Sequence, residues 1–458
     1  MNNEDKKKKK KESNRIRSLI KDYGIKGSAK KDIWIIWNKQ GIDEVENFAL
    51  NYYENNKVIT PQKPLDFVIF GKDIIEENTI EQMRTATTLP VAVAGALMPD
   101  AHLGYGLPIG GVLATDNAVI PYAVGVDIAC RMKLSVFDTP FESKKEVEKY
   151  IDKNKKHLSR VLMENTYFGA GYPNRIEHPD HDVLYDSRWD INNDFKMLRE
   201  KAAQQIGTSG GGNHFVEWVI VDWFTNEEDD LLPNYYIGLL SHSGSRGVGF
   251  AIANYYSDLA RRIHYNLPKE LEHLAWLDMD SEEGQEYWEA MQLAGRYAEA
   301  NHDIIHNSVA KASGLNIYYG VENHHNFAWK ETCLVNGEHK ELIVHRKGAT
   351  RAHKGLYGII PSSMTSAGMV VSGLGYESSL NSASHGAGRL MSRNKARETI
   401  TVHQRDALLK DRGVTLLGGG LDEAPQAYKN VTDVFSAQEM LVKNLAWISP
   451  KIVRMADD

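Results

Sequence analysis

The chain contains very little cysteine, with only Cys130 and Cys333 among 458 residues. Two cysteines are too few for a disulfide framework and are typical of a reducing compartment, so we expect a cytoplasmic protein. The sequence also lacks a run of about 18 consecutive apolar residues, which argues against a membrane-spanning helix. The N-terminus lacks the apolar segment of a secretory signal. We therefore expect no membrane partner.

An excess of basic charge is also absent, since 54 lysines and arginines stand against 61 aspartates and glutamates. The resulting net charge of -7 argues against a protein that coats nucleic acid over its whole surface, although a local basic groove remains compatible with it. One basic run does occur, at Lys6 to Lys11. We interpret it as a disordered, solvated tail in preference to a nucleic-acid-binding arm.

Hydrophobic patterning predicts an α+β fold with one large mixed domain. The predicted divisions are a disordered lysine-rich tail at 1–30, a small α/β lead-in at 31–90 and the large domain at 91–458. Apolar spacing predicts strands at 110–115, 132–137, 215–221 and 236–240, and helices at 144–162, 195–205, 248–265, 281–312 and 437–447.

Residues 98–132 contain the first group of potential ligands. Asp100, His102, Asp127 and Cys130 lie in this segment among many glycines. Glycine lets the backbone approach a ligand closely or adopt positive φ, so the composition favours a binding site over a plain core strand. A tightly turned β region with a buried thiol would have the same composition, and this segment alone leaves both interpretations open.

Four histidines recur in a common setting, next to glycine, serine or asparagine near the ends of predicted strands. They are His214, His242, His325 and His385. Such histidines can present a ring nitrogen to a metal or a phosphate from a tight turn. Together with Asp127 they offer ligands that suit Mn²⁺, whereas a cysteine thiolate favours Zn²⁺. The ligand types alone therefore leave the metal open.

Phosphate-binding side chains follow in the C-terminal half, near glycines that allow close backbone approach. They are Arg346, Lys347, Arg351, Lys354, Arg389 and Arg393. Arginine matches two phosphate oxygens at once, although a solvated basic face would have the same composition. Metal ligands beside phosphate ligands predict phosphoryl or nucleotidyl transfer.

Several other motifs are weaker. The segment GTSGG at 207–211 matches a hydrolase nucleophile elbow, but it follows a predicted helix and precedes a strand, which is the reverse of the required order. His302 and His306 have the spacing of a zinc pair but no HExxH context, so a surface or capping role is favoured. The acidic and histidine residues at 177–182 are interpreted as a solvated loop. The sequence contains no P-loop.

Eight motifs in register resemble the RtcB-type RNA-splicing ligases over roughly residues 65 to 455. They are MPDAHLGYG (98–106), VGVDIAC (124–130), GTSGGGNHF (207–215), SHSGSRG (241–247), HHNFA (324–328), HRKGATRA (345–352), SHGAGRLMSR (384–393) and DEAPQAYK (422–429). The resemblance implies antiparallel-rich sheets around a central metal site. It also implies a GTP- and Mn²⁺-dependent ligase that joins RNA 3′-phosphate or 2′,3′-cyclic phosphate ends to 5′-hydroxyl ends, and it leaves room for an activating protein partner.

The resemblance also implies residue roles. Asp127, Cys130 and His214 would hold one manganese ion, and Cys130, His242 and His325 would hold a second. His385 would attack the α-phosphate of GTP to form a covalent histidine–GMP. Asp100 would assist the chemistry at the RNA end, and Arg389 is the third residue to which the resemblance gives a catalytic role. The expected guanylate contacts are Asn213, Glu217, Asn326, Ser366, His385, Arg389, Tyr428 and Arg454, and the expected RNA contacts are Arg346, Lys347 and Arg351.

Three departures from the family pattern affect the expected pocket. Ala129 and Arg131 replace the usual glycines beside Cys130, PSSMT at 361–365 replaces PGSMG, and Arg454 replaces a lysine that contacts guanine. Arginine keeps the charge but changes the donor geometry. Two alternatives to the ligase remain: a two-metal RNA phosphoesterase or nuclease with water as nucleophile, and a non-catalytic RNA-binding protein.

Overall fold

The computed structural model describes residues 3–56, 59–169, 178–225 and 234–456. Backbone proximity divides the chain into two compact units. The first comprises Met1–Thr60 and Tyr265–Lys269, and the second comprises Pro61–His264 and Glu270–Asp458. The boundary predicted at residue 90 lies within the second unit by this division.

The helices of the described residues are numbered in chain order. They are α1 (Asn3–Asp22), α2 (Ala29–Gln40), α3 (Ile42–Asn56), α4 (Glu77–Ala86), α5 (Pro121–Val124), α6 (Lys144–Asn165), α7 (Asn193–Gln205), α8 (Arg246–Ile263), α9 (Glu282–Ser313), α10 (Arg393–Thr399), α11 (Val402–Asp411) and α12 (Val431–Ser436). Short 3-10 turns occur at Lys72–Ile74, Asp182–Tyr185, Ser187–Asp190, Lys269–Leu274, Glu377–Ser379, Leu421–Glu423 and Pro425–Ala427. None of these helices is both long enough and apolar enough to cross a membrane.

The strands of the described residues are numbered in the same way. They are β1 (Val68–Ile69), β2 (Ala92–His102), β3 (Ile109–Thr115), β4 (Ala118–Val119), β5 (Arg131–Phe137), β6 (Phe215–Trp223), β7 (Asn234–Ser243), β8 (Leu277–Asp278), β9 (Ile317–His324), β10 (Asn326–Val335), β11 (Glu338–Lys347), β12 (Ala349–Arg351), β13 (Tyr357–Ile360), β14 (Gly368–Gly373), β15 (Ser382–Ser384), β16 (Thr415–Leu417) and β17 (Val442–Met455).

The first unit is a small helical bundle of α1, α2 and α3. Ile16, Leu19, Ile33 and Val45 are buried between these helices. The lysine run Lys6 to Lys11, which the sequence predicted to be disordered, is instead an exposed part of α1. The correction has a physical reason: the packed C-terminal half of α1 supplies the helix nucleus, and extending a helix costs far less than starting one.

Two sheets form the framework of the second unit. The first has five strands in the order β1-β2-β3-β11-β10. The second follows the order β13-β14-β17-β6-β7-β5-β9, with β16 added beside β17. The pairings within these sheets are antiparallel, except for the parallel pairs β1–β2 and β16–β17. The predicted α+β class with antiparallel-rich sheets is confirmed.

Strand β6 shows why the second sheet is stable. Val216, Trp218 and Ile220 face α6 and α9, whereas Val219 and Val221 on the opposite face enter a second apolar cluster. Because side chains alternate across a strand, a strand that is buried on both faces is apolar at nearly every position. Seven of the nine residues of β6 are apolar, and the exceptions are Glu217 and Asp222.

One predicted helix is wrong. The sequence pattern suggested a helix at 437–447, but this region leads into β17, which pairs with β14 on one side and with β6 on the other. Val442, Leu445 and Ile448 are buried in the resulting sheet. Pairing along both edges and burial therefore override the local helical pattern.

The histidine pair on α9 also has a different setting from the one expected. His302 and His306 are buried, not exposed. The Ser241 hydroxyl lies 2.6 Å from Nδ1 of His302 and 2.7 Å from Nε2 of His306, and the Ser135 hydroxyl lies 2.7 Å from Nδ1 of His306. These histidines therefore connect α9 to β5 and β7.

Candidate active site

Four neighbouring strands bring four potential metal ligands to one edge of the larger sheet. In the order β6, β7, β5 and β9, His214 precedes β6, His242 lies near the end of β7, Cys130 precedes β5, and His325 follows β9. Because neighbouring strands run antiparallel, the start of one strand lies beside the end of the next. Residues distant in sequence thus become neighbours.

The side chains at this edge are close enough to share a cation. Cys130 Sγ lies 3.1 Å from His242 Nε2 and 3.4 Å from His214 Nε2. His214 Nε2 is 3.0 Å from Asp127 Oδ2, and His242 Nε2 is 3.3 Å from His325 Nε2. The sequence-predicted ligands Asp127, Cys130, His214, His242 and His325 therefore form one continuous group, which we call the ligand cluster.

Two of the three histidine rings, those of His214 and His242, are oriented as metal ligands would be. Nδ1 of His214 lies 2.6 Å from the Ser209 carbonyl oxygen, and Nδ1 of His242 lies 3.1 Å from the Asn213 carbonyl oxygen. A carbonyl can only accept a hydrogen bond, so each Nδ1 donates, and Nε2 is the ring nitrogen that faces the cluster. Both Nε2 atoms face the Cys130 sulfur. The donor set fits a divalent metal ion.

Burial sets the protonation of the cluster when no cation is present. Burial lowers the pKa of His242 to about 3 and that of His325 well below its ordinary value. Burial, reinforced by Asp127, raises the pKa of the Cys130 thiol well above its usual value. Burial opposes ionisation of Asp127, yet its hydrogen bond with His214 leaves the carboxyl pKa below its ordinary value. A cation would offset the raised pKa of the thiol.

His385 stands beside the ligand cluster and is held by Asp100. The rings of His385 and His325 have centroids 4.8 Å apart. Nδ1 of His385 lies 2.7 Å from Oδ2 of Asp100, whose side chain is fully buried. Since a carboxylate accepts, Nδ1 of His385 carries the proton and Nε2 remains available as a nucleophile.

A cavity of about 440 Å³ opens between the two sheets at this point. Its volume is within the usual range for small-molecule sites. The ligand-cluster residues Asp127, Cys130, His242 and His325 line it. So do most residues expected to contact guanylate, namely Asn213, Glu217, Asn326, Ser366, His385, Arg389 and Tyr428.

Two of these lining residues have unusual electrostatics. Burial raises the pKa of Glu217 to about 8, which favours the protonated carboxyl in an empty cavity. Burial likewise raises the pKa of Tyr428, whose hydroxyl hydrogen-bonds to Glu423. Arg389 lies over the Tyr428 ring and is 3.3 Å from Glu423 Oε1. These buried polar groups can recognise a nucleotide through hydrogen bonds.

Arg454 is not brought into the cavity. It lies on β17 between Val453 and Met455, which line the cavity, so its side chain points to the opposite face of the strand. There it donates to the Leu417 carbonyl at 3.1 Å and lies over the Phe168 ring. The expectation that Arg454 contacts the guanine is therefore corrected.

Arg346 also differs from its expected role. It is fully buried, and its guanidinium donates to both carboxylate oxygens of Glu331 at 3.0 and 2.8 Å. A buried, fully paired arginine is a structural element and is not available to RNA. Its neighbour Lys347 lines the cavity, and burial lowers its pKa to about 7. Arg351 is partly exposed beside Glu331.

The departures beside Cys130 are accommodated locally. Ala129 has a φ of 56°, in the left-handed region that favours glycine, and its amide donates to the Asn326 carbonyl at 2.7 Å. The guanidinium Nη1 of Arg131 lies 3.4 Å from Oε2 of Glu322. In the altered 361–365 segment, Ser362, Ser363 and Met364 line the cavity. Cys130 therefore lies within the ligand cluster with Ala129 and Arg131 beside it.

Sequence reasoning missed three supporting residues. Arg246 is the first residue of α8 and donates to Thr208 Oγ1 at 3.2 Å. Its positive charge helps to lower the pKa of Asp127. Lys429 donates to the carbonyls on either side of Asp100. Gln438 accepts from Ser384, next to His385. Arg246 and Lys429 lie within the recognised motifs, whereas Gln438 carries no sequence signal.

The structure also shows the setting of the weaker motifs named in the sequence analysis. GTSGG at 207–211 follows α7 and precedes β6, so it is not a strand-to-helix elbow. In the 177–182 group, Glu177 lies outside the described residues. The others are exposed or partly exposed, and His181 caps a 3-10 turn through Val183.

His102 lines the cavity, and burial lowers its pKa to about 4.

Comparisons with known proteins find relatives along most of the chain. A family model described as tRNA-splicing ligase RtcB matches residues 82–456. The RNA-splicing ligase RtcB of Escherichia coli (strain K12) is 33% identical over 397 residues, covering 81% of this chain and 92% of the relative. The tRNA-splicing ligase RtcB of Nanoarchaeum equitans is 31% identical, covering 85% of this chain and 91% of the relative. The RNA-splicing ligase RtcB of Mycobacterium bovis is 30% identical, covering 81% and 98%.

Proposed function

Because the chain belongs to the RtcB family of RNA ligases, we propose that it joins RNA 3′-phosphate ends to 5′-hydroxyl ends through a covalent His385–GMP intermediate. RNA ends of the 2′,3′-cyclic phosphate type would enter the same reaction after water opens the ring. The observation that carries the proposal is that the buried Asp100 orients His385, which lines the same cavity as most of the ligand cluster.

In the first step, Nε2 of His385 attacks the α-phosphorus of GTP. A nitrogen–phosphorus bond forms, the bond from the α-phosphorus to the bridging oxygen breaks, and pyrophosphate leaves. Asp100 keeps the proton on Nδ1, so Nε2 presents its lone pair throughout. Glu217, Tyr428 and Asn326 are the residues that we assign to holding the guanosine in place.

In the second and third steps, the GMP moves to RNA and is then displaced. The RNA 3′-phosphate oxygen attacks the phosphorus on His385, which frees the histidine and leaves the RNA end activated by GMP. The 5′-hydroxyl of the second end then attacks the terminal phosphorus of the RNA, the new phosphodiester forms, and GMP leaves. We assign Lys347 and Arg351 to contacts with the RNA phosphates.

We propose that the ligand cluster holds two Mn²⁺ ions. Asp127, Cys130 and His214 would hold one ion, and Cys130, His242 and His325 the other, with the sulfur shared. Two such cations neutralise negative charge that develops on phosphate oxygens. The inward Nε2 atoms and the buried thiol support this assignment, and carboxylate with imidazole suits Mn²⁺.

The test is formation of the covalent adduct. Protein is incubated with Mn²⁺ and each of the four NTPs labelled at the α-phosphate, and the label that survives denaturing electrophoresis is measured. We expect GTP to label the protein, and His385→Ala to abolish the label. His339→Ala, which changes an exposed histidine, is the matched control. Failure of every nucleotide to label the unchanged protein would refute the proposal.

The same protein preparation can distinguish the ligase from the alternative, a two-metal phosphoesterase. Such an enzyme would process RNA ends in the absence of any nucleotide, because water would be its nucleophile. The Asp100–His385 pair favours the ligase, since hydrolysis by metal-activated water does not require an oriented histidine. Processing of RNA ends without GTP, together with an unlabelled protein, would favour the phosphoesterase.

A further inference from the structure

The loop that joins β2 to β3 exposes two large apolar side chains at the rim of the cavity. Tyr105 is 72% exposed and Leu103 is 50% exposed, and both line the cavity. Of the described tyrosines, Tyr105 is the most exposed. Single exposed apolar residues are common on proteins, so exposure alone would indicate no function.

The backbone of this loop is rigidly held. The Gln82 side chain donates to the carbonyls of Gly104 and Gly106 at 2.6 and 3.0 Å, and it accepts from the Gly104 amide at 3.1 Å. Lys347 donates to the Tyr105 carbonyl from within the cavity. Because four of its backbone groups are paired, including the Tyr105 carbonyl, the loop holds the backbone of Tyr105 in place.

The Tyr105 ring belongs to an array of rings. It meets the His273 ring edge-on, with centroids 6.3 Å apart, and His273 in turn stacks on Tyr122 at 5.2 Å. Lys347 lies over the Tyr122 ring. An aromatic ring that is supported at its edge by a second ring, and whose surface is mostly exposed, is suited to stacking against another flat ring. A nucleobase is such a ring, and aromatic stacking is how proteins hold single-stranded nucleic acid.

We propose that Tyr105 is a stacking platform for a base near the reacting end of the RNA. The inference rests on the proposed function, because it takes the cavity to be the place where RNA ends react. Tyr105 lies five residues from Asp100, which orients His385. A base stacked on Tyr105 would leave its phosphate near Lys347, which lines the same cavity and donates to the Tyr105 carbonyl. Stacking accepts every base, which suits ends of varied sequence.

The test measures binding of short single-stranded RNAs by fluorescence anisotropy, one RNA with a 3′-phosphate end and one with a 5′-hydroxyl end. We expect Tyr105→Ala to weaken the affinity for at least one of them by roughly 5- to 150-fold, the range found for loss of one stacked base. Tyr105→Trp should bind like the unchanged protein. Tyr185→Ala, which removes another exposed tyrosine outside the cavity lining, is the control and should have no effect.

A second measurement separates stacking from a structural role. Each RNA is also prepared with abasic nucleotides at its terminal positions. If Tyr105 stacks on a base, the unchanged protein and Tyr105→Ala should bind the abasic RNA with equal affinity. The RNA whose abasic form removes the difference in affinity between the two proteins carries the end that Tyr105 holds. Equal binding of both intact RNAs by the two proteins, or an equal loss with intact and abasic RNA, would overturn the proposal. So would the lack of RNA binding by the unchanged protein.

The adduct assay on the unchanged protein keeps the two proposals distinct. If the unchanged protein forms the guanylate adduct while Tyr105→Ala binds RNA normally, only the stacking platform is refuted. If the unchanged protein forms no adduct with any nucleotide, the proposed function is refuted whatever the result at Tyr105.

Discussion

Oδ2 of Asp100 accepts a hydrogen bond from Nδ1 of His385 at 2.7 Å, although 285 residues separate the two in sequence. The same oxygen lies 3.1 Å from the backbone nitrogen of His385 and 3.3 Å from that of Gly386. Three donors on one buried oxygen fix both the ring and the backbone that carries it. Asp100 is thus a positioning residue for His385 and need not contact the RNA end itself.

The first prediction concerns this pair. Asp100→Asn should reduce the rate of guanylate-adduct formation by about 10²- to 10⁴-fold, because an amide can stabilise the wrong tautomer of His385 and cannot balance a developing positive charge. The measurement is single-turnover labelling with α-labelled GTP over a range of pH. Asp116→Asn, which changes an exposed aspartate paired with Lys340, is the control. Labelling by Asp100→Asn at the unchanged rate would contradict the positioning role.

The comparison of Asp100 with Arg346 shows what sequence could and could not predict. The motifs and the glycine-flanked histidines predicted which residues form the ligand cluster, because metal ligands need particular residue types next to flexible turns. The partner of His385 could not be predicted, since it depends on strands that meet only in the fold. Arg346 was misassigned for the same reason: Glu331 pairs with it across the β10–β11 hairpin. Strand pairing also explains why β17 is a strand although its local sequence pattern suggested a helix.

The second prediction uses the two cysteines as a matched pair. Cys130→Ala should lower the bound Mn²⁺ to less than one ion per chain, because the sulfur is assigned as a ligand of both ions. Cys333→Ala should leave binding intact, since Cys333 is buried in an apolar cluster on β10. Metal content after gel filtration is measured by mass spectrometry of the elements. Retention of two ions by Cys130→Ala would contradict a shared thiolate.

Thermal unfolding of the Cys130→Ala and Cys333→Ala variants tests the metal assignment independently. A ligand that binds only the folded chain stabilises it by about 2.7 kcal/mol at a free concentration of 100 times Kd. Mn²⁺ should therefore raise the melting temperature of the unchanged protein and of Cys333→Ala, and chelation should reverse the rise. Cys130→Ala should show little response. An equal rise in both variants would place the metal elsewhere.

The third prediction is a pH dependence of stability that comes from Glu217. Burial raises the pKa of its carboxyl to about 8, so the folded chain keeps a proton that the unfolded chain releases above about pH 4.5. The contribution of Glu217 to stability is fully present below that pH and is lost as the pH rises towards 8. Glu217→Gln should therefore be more stable than the unchanged protein at pH 8, by an amount on the order of a few kcal/mol.

Urea unfolding of the nucleotide-free protein at pH 5 and pH 8 measures this difference. The advantage of Glu217→Gln should be much smaller at pH 5, where the carboxyl is protonated in the folded chain and only partly ionised in the unfolded one. Glu338→Gln, at an exposed position on β11, should track the unchanged protein at both pH values. A constant difference between Glu217→Gln and the unchanged protein at both pH values would exclude a raised pKa at Glu217.

The last prediction concerns Ala129, where the chain departs from the glycine usual in the family. At a φ of 56°, an alanine is strained by about 1–2 kcal/mol relative to glycine. Ala129→Gly relieves this strain but also removes one buried methyl group, which lowers the free energy of unfolding by about 0.8 kcal/mol. The free energy of unfolding should therefore stay constant or rise by up to about 1 kcal/mol. Ala129→Val should lower it by more than about 2 kcal/mol, since a β-branched residue tolerates positive φ poorly.

The control for Ala129 is Ala123, which is equally buried but lies in α5 and is not among the described residues with positive φ. Ala123→Gly loses the same methyl group and gains no relief from strain, so its free energy of unfolding should fall by about 1–2 kcal/mol. Urea unfolding of the three variants decides the matter. If Ala129→Gly were destabilised as much as Ala123→Gly, the backbone beside Cys130 would not be in the left-handed conformation, and its hydrogen bond to Asn326 would have to be reconsidered.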